Sequence, residues 1–254
     1  VQSGNEGTSG LYVRGGTPDQ NLIQLDGAPL YNVSHLFGFL SVFNPDIVQN
    51  VQLTKGGFPA RYGGHLSSVV EVNVEDGNRN EYEGEGSLGL LASRLTIQGP
   101  IVEDKTSFLV SGRRTYADVV VRAVTDELQY GYYFYGVNAK LNHEFSSTDR
   151  VFWSLYTGDD RFHSIDDEDF SFEFGWGNVT STLRWNHVYS NNLFGSIALR
   201  YSRYRFNIDA EDGGESDRFR LLYRSGIQDL ELEGRFDYTP NDRHEVRAGG
   251  TVIY

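Results

Sequence analysis

The feature that most limits what this chain can fold into is a two-residue alternation, recurring in long segments from about residue 82 to the end. Between 133 and 145, Tyr133, Tyr135, Val137, Ala139, Leu141 and Phe145 share one face, while Asn138, Lys140, Asn142 and Glu144 share the other. Residues 178 to 189 repeat it, with Val179, Leu183, Trp185 and Tyr189 opposite Asn178, Thr180, Thr182, Arg184 and Asn186. Residues 229 to 238 do so again, setting Leu230, Leu232, Phe236 and Tyr238 against Asp229, Glu231, Glu233, Arg235 and Asp237. Such segments are β-strands with one apolar and one polar face.

Alternation alone fits both a soluble sandwich, whose apolar face points inward, and a membrane barrel, whose apolar face points outward. Length and loops separate them. Several runs exceed the roughly 5 to 6 residues of an ordinary strand and reach the roughly 9 to 11 needed to cross a bilayer at a tilt. Their apolar stretches end in Tyr, Trp or Phe, as interfacial girdles do. Short turns at 99–106, 146–149, 190–192 and 240–242 alternate with longer segments near 117–131, 159–175 and 209–218, the sorting expected of periplasmic turns and extracellular loops. In the run 193–208 the apolar residues change face, from Leu193, Ile197 and Leu199 to Tyr204, Phe206 and Ile208. A β-bulge or a strand continuing above the membrane would produce this switch.

Composition removes several other classes. A net charge of −13 opposes nonspecific nucleic-acid binding, which needs a basic face to displace counterions. The chain has no Cys and no Met, which excludes disulfides, thiolate zinc sites and a cysteine nucleophile. Only 39% is hydrophobic, with 29 glycines and 14% aromatics, a profile for strands and turns. His35, His65, His143, His163, His187 and His244 lack metal-ligand spacing, and there is no nucleophile elbow. No catalytic residue and no cofactor are expected. The acids Asp159, Asp160, Asp166, Asp167, Glu168 and Asp169 fall in an expected extracellular loop without EF-hand spacing, and read as a solvated loop rather than a calcium site.

The first 80 or so residues differ, with shorter strand runs and more turn residues. In "NPDIVQN" Asn44 can cap and Pro45 suits a first helical position, so a helical turn should lead into "VQLTK". "LYVRGGTPDQNLIQLDGAPLYN" (11–32) followed by "NPDIVQNVQLTKGGFPARYGGHLSSVVEVNVED" (44–76) resembles the plug domain of TonB-dependent outer-membrane receptors. The barrel turn in "GPIVEDKTSFLVSGRRTY" is similar to that family too, especially its Bacteroidota members.

The resemblance implies a mainly β chain: a small mixed α/β plug over 1–80, then, over 81–254, the first strands, about nine of about 22, of a transmembrane antiparallel barrel. It implies a tight hairpin near Gly89 to Ala92 and strand two ending at the turn near 100–105. An open sheet in lipid leaves unpaired edges, so the chain is read as the front part of a longer one. The implied function is import without covalent chemistry, with the TonB complex pulling a segment expected upstream of Val1. The expected surroundings are membrane lipid, a possible surface lipoprotein lid or other envelope proteins, and no nucleic acid. A receptor-like accessory subunit of a larger assembly, or a soluble adhesin or lectin, is the alternative.

For ligand contact, Tyr31, His35, Phe37 and Phe39 of "YNVSHLFGFLS" are the candidates, with wedging against the barrel wall as the competing role of the aromatics. Arg14, Arg61, Arg113 and Arg114 are read as plug-to-wall ion pairs, and Gly15, Gly27, Gly63 and Gly64 as glycines at which a plug packs closely inside its barrel. Arg at Leu141 or Trp185 is expected to destabilise strongly and Arg at Asn142 less so.

Overall fold

The computed structural model describes residues 11–35, 38, 40–64, 66–89, 92–116, 130–165, 170–212 and 219–254. A small plug sheet is followed by a long-stranded wall that curves past it. In the plug, β1 (Asn21–Leu25) runs parallel to β6 (Ser68–Val74), while β2 (Ala28–Pro29) and β5 (Val48–Thr54) add antiparallel at the two sides. A separate two-stranded hairpin joins β3 (Ser34–His35) to β4 (Leu40–Ser41). The turn between β1 and β2 consists of Asp26 and Gly27, both left-handed at φ 48° and 87°, the backbone that a tight two-residue hairpin requires and that Asp-Gly supplies at least strain. Asn44 caps as its position suggests: its side chain accepts from the Asp46 N–H at 3.3 Å, Pro45 opens a 3-10 turn, and Ile47 drops into the core.

The wall is an antiparallel meander of nine strands in sequence order: β7 (Glu83–Leu88), β8 (Ala92–Val102), β9 (Thr106–Thr115), β10 (Tyr130–Glu144), β11 (Asp149–Ile165), β12 (Phe170–Ser190), β13 (Leu193–Asp212), β14 (Phe219–Asn241) and β15 (His244–Ile253). Gly89 donates to the Ala92 carbonyl at 3.0 Å, closing the expected first hairpin.

Which face is buried decides the environment. The apolar face points away from the plug: Leu183 is 47% exposed, Leu230 44% and Phe236 42%. The polar face is the covered one, with Asn178, Thr180, Thr182 and Asn142 all buried. In water that arrangement would be inside out, so the sandwich is set aside. At about 3.3 Å per residue the outward stretch from Tyr135 to Phe145 runs about 33 Å, and a tilt near 40° reduces this to about 25 Å, the height of an outer-membrane apolar band.

Strand length corrects one expectation and decides between the two alternatives of another. β11 and β12 extend over most of 159–175, so Asp159 and Asp160 stand in a strand rather than a loop. The acids at 166–169 lie outside the described residues, among which no group of three potential metal ligands occurs. The face switch in 193–208 involves no bulge, because β13 keeps unbroken register with β14 from Leu193 to Asp212. Instead the strand rises past the band, with Arg203, Arg205 and Asn207 outward and Tyr204, Phe206 and Ile208 turned inward.

This placement predicts a depth profile. Leu141→Arg or Leu183→Arg should lower folding stability by about 2–4 kcal/mol, whereas Gln228→Arg, on the same outward face above the band, should change it by no more than about 1 kcal/mol. Urea-driven unfolding of the full-length protein in lipid vesicles measures the difference.

Candidate functional site

The plug is seated on the wall by buried polar contacts. Lys140, inward on β10 and 6% exposed, donates to the Val74 carbonyl at 2.5 Å and to Asp26 Oδ1 at 3.2 Å, and its Nζ lies 3.0 Å from Asp76 Oδ1. Asp26 is held from both sides. Its Oδ1 also accepts from the Val74 N–H at 3.1 Å, and its carbonyl accepts from Arg184 of β12 at 2.9 Å. The tight turn therefore presents a carboxylate and a carbonyl at the same spot on the wall. Gly27 fits because a Cβ there would come within 2.9 Å of the Arg200 guanidinium, itself held by Glu231 and Glu233. Farther along, Asn44 donates to Ser111 at 2.7 Å and Arg94 pairs with Asp46 at 2.8 Å. Leu109 and Tyr156 of the wall complete the plug's apolar core with Leu25, Leu30, Ile47 and Val72.

At the extracellular end the β3–β4 hairpin is fixed in the same manner. His35, 1% exposed, sets Nδ1 2.5 Å from Asp160 Oδ2 and stacks on Phe134 at 4.0 Å between centroids. Tyr132 also donates to Asp160. The Ser34 carbonyl accepts from Trp176 at 3.2 Å, the Asn32 carbonyl from Asn178 at 3.1 Å, and the Ser41 carbonyl from Arg113 at 2.6 Å. Tyr31 donates to Asp229 of β14, and burial, reinforced by that bond and by the Asp229 and Glu231 charges, pushes its phenol above its ordinary value.

Of the candidate ligand contacts, His35 is thus wedged against the wall, Tyr31 is half-buried and tied to Asp229, and Phe37 and Phe39 lie outside the described residues. The arginines separate. Arg113, lying over the Phe134 ring of the wall, reaches the plug through the Ser41 carbonyl rather than an ion pair. Arg114, one residue on, faces outward over Tyr133, away from the plug residues described, because adjacent strand residues point to opposite faces. Arg61 donates to the neighbouring Tyr62 hydroxyl at 2.7 Å, and Arg14 lies against Gly56; neither forms a salt bridge among the described residues. Gly15 and Gly64 serve by left-handed backbone, φ 79° and 78°, while a Cβ at either, or at Gly63, would meet nothing within 4 Å. Close packing is therefore not their reason. Asn142 is fully buried and donates to Asp76 at 3.3 Å, so Arg there would collide with the plug, contrary to the mild effect expected from the sequence.

Above the seat, the inward faces of β11 to β14 line a basin. Phe162 and Phe174 have ring centroids 5.2 Å apart, Phe174 and Trp176 5.7 Å, and Phe206 and Tyr223 6.3 Å. The inward switch of apolar residues after Tyr201 is the sequence signal that marks this basin.

Two tests follow from the seat. Lys140→Met leaves Asp26 buried without its cation and should destabilise the seated plug by about 3–5 kcal/mol; Asp26→Asn in the same background should recover part of this, since Asn tolerates the left-handed turn. Protease protection of the plug in the folded full-length barrel reads both. For Tyr31, a folded-state value raised above the ordinary 10.0 means that its contribution is complete below that pH and is lost as pH climbs through the folded value. The difference in plug protection between the wild type and Tyr31→Phe should be flat up to about pH 10 and shrink above it.

A family model described as the TonB-dependent receptor plug domain matches residues 1–70. A search of curated proteins finds no match. Among solved structures, a mutant of the ferric enterobactin receptor PfeA from Pseudomonas aeruginosa is similar, with 16% identity and a TM-score of 0.61 over 92% of this chain and 41% of that one. The ferripyoverdine receptor of the Pseudomonas aeruginosa outer membrane is 15% identical, with a TM-score of 0.64 over 94% and 36%. BauA, the ferric preacinetobactin receptor of Acinetobacter baumannii, is 13% identical, with a TM-score of 0.65 over 98% and 41%. The chain thus spans about two-fifths of the length of these receptors, whose likeness establishes the fold. Residues 1–70 match the TonB-dependent receptor plug domain, and the strands that follow share the fold of the barrel wall in these receptor structures.

Proposed function

We propose that this chain is the plug and early wall of an outer-membrane importer that takes up a nutrient ligand by TonB-driven rearrangement of the plug. The observation that carries the reading is a plug seated by polar contacts inside a wall of lipid-facing strands, beneath an aromatic basin open to the extracellular side. No group here performs bond chemistry. The work is binding in the basin and displacement of the plug, with energy coupled through TonB.

The basin also bears on the class of ligand. Above the plug, most of the inward residues described are aromatic or aliphatic, with Ser164, Ser225 and Asp212 among them, Asp160 and Asp229 engaged by His35 and Tyr31, and Arg113 near the floor. Stackable faces without a ring of cations favour a neutral ligand, a glycan or a peptide, over the anionic ferric chelates suggested by the neighbours' names. Tyr31 is the plug residue best placed to sense such a ligand, since it bridges the plug to the β14 wall. A surface lipoprotein lid, as in the Bacteroidota members that the sequence resembles, would suit that class.

Depletion of a mixed medium of glycans, peptides and ferric chelates, by cells with and without the full-length receptor and with and without TonB, tests the reading. Import predicts loss of one class that needs both proteins, and Phe206→Ala with Tyr223→Ala should weaken its uptake by about tenfold without lowering barrel yield. No depletion, or depletion indifferent to TonB, would shift the chain to an accessory role in an envelope assembly.

A further inference from the structure

The outward face above the apolar band is distinctive. Along β10 to β14 every outward arginine lies at the extracellular end: Arg161, Arg203, Arg205, Arg220 and Arg224. The periplasmic end of the same face carries His143, Asp149, His187 and Tyr189 instead. In a chain of net charge −13 this one-sidedness is a placement, not an average.

Some of these cations are already neutralised. Arg161 pairs with Asp159 at 2.9 Å, and Arg220 with Asp209 at 2.9 Å beside Glu211; Glu173 lies in the same upper tier. Arg205 approaches Asp159 only to 4.0 Å, and Arg203 and Arg224 make no salt bridge among the described residues. The strand register gathers these last three around one residue. Arg205 stands opposite Gly226, Arg203 opposite Gln228, and Asn207 opposite Arg224, so Gly226 is a side-chain-free floor ringed by guanidiniums and amides. The register also sets Tyr201 opposite Leu230, one outward step below, where the lipid-facing band begins. At the same tilt, two and four residues of rise place Arg203 about 5 Å and Arg205 about 10 Å above that girdle, the depth of a lipid headgroup.

We infer that Arg203, Arg205 and Arg224 around Gly226 form a binding site for the phosphate of an outer-leaflet lipid headgroup. The occupant follows from two facts: the cradle continues a face already in contact with lipid, and its guanidiniums complement a phosphate in bidentate geometry, Arg203 making no salt bridge among the described residues while Arg205 and Arg224 have only loose carboxylate neighbours in Asp159 and Asp209. Asp159 stands level with Arg205 but is held by Arg161, while Glu173, Asp209 and Glu211 sit farther from the band and would repel a free anion arriving from solution, whereas a headgroup arrives from below.

Full-length receptor purified in detergent is incubated with diphosphorylated lipid A or its dephosphorylated form, and retained lipid is counted by native mass spectrometry. The wild type should retain the diphosphorylated form preferentially, and R203Q/R205Q/R224Q should lose at least about tenfold of it. R224Q alone should lose about threefold, which keeps the test open if the triple variant folds poorly; an unchanged thermal transition certifies the barrel of each. R220Q, whose arginine is already paired, should bind as the wild type does. Equal retention by the triple variant, equal retention of the dephosphorylated lipid, a matching loss in R220Q, or displacement by inorganic phosphate would each overturn the assignment.

Discussion

Backbone amides in hydrocarbon have no water to turn to, and the rest of this structure depends on that constraint. Each wall strand must bond to a neighbour along its whole buried length, because an unpaired backbone group there costs several kcal/mol. The result is the unbroken register of β12 with β13 from Phe170 to Val188 and of β13 with β14 from Leu193 to Asp212. Once strands run straight through the band, their side chains can only alternate, and every second residue is forced inward. Those inward residues need partners, and the plug supplies them. Lys140 has no other reason to be buried than the carbonyl of Val74 and the carboxylates of Asp26 and Asp76 waiting opposite.

The plug's geometry is the reciprocal of the wall's. A parallel pair, β1 and β6, brings the Asp26 turn beside the end of β6, so one lysine can reach both. The left-handed Asp-Gly step aims the Asp26 carbonyl at Arg184 while keeping Gly27 thin enough for Arg200 to pass. At the other end the β3–β4 hairpin and the Asn32 just before it give backbone carbonyls to Trp176, Asn178 and Arg113, wall residues drawn from two separate strands, β12 and β9. Position along the barrel axis thus fixes what an inward residue does: ionic seat below, carbonyl clamp in the middle, aromatic basin above.

Much of the wall was legible from single residues because its physics is local. Alternation told which side chains share a face, the Asn44-Pro45 pair told where a helical turn starts, and parity placed a hairpin at Gly89 to Ala92. The seat was not legible, for the converse reason. Lys140 and Asp26 are 114 residues apart, and nothing near either says that they meet. Reading arginines as a class also failed at Arg113 and Arg114, since a one-residue step reverses the face and turns a plug contact into an outward one. The glycines misled in another way. Gly15 and Gly64 look like packing glycines in sequence, and only their φ values show that backbone handedness is what they provide.

The chemistry of the seat has a consequence for motion. Had the plug been held by apolar surface, withdrawing it into water would cost about 25 cal/mol for every Å² uncovered, with no compensation on the way. Here the apolar contact with the wall is small, with Leu109 and Tyr156 entering the plug core, and most of the remaining contact is hydrogen bonds and ion pairs. Water can replace each of these in turn, so a net hydrogen bond is worth only about 0.5–1.5 kcal/mol once solvent enters. Such a seat is specific while dry, because Lys140 or Asp26 left alone is penalised, yet it loosens stepwise once a pull opens a path for water. Polar seating therefore does for the plug what apolar packing could not: it fixes one position tightly and still permits departure from it.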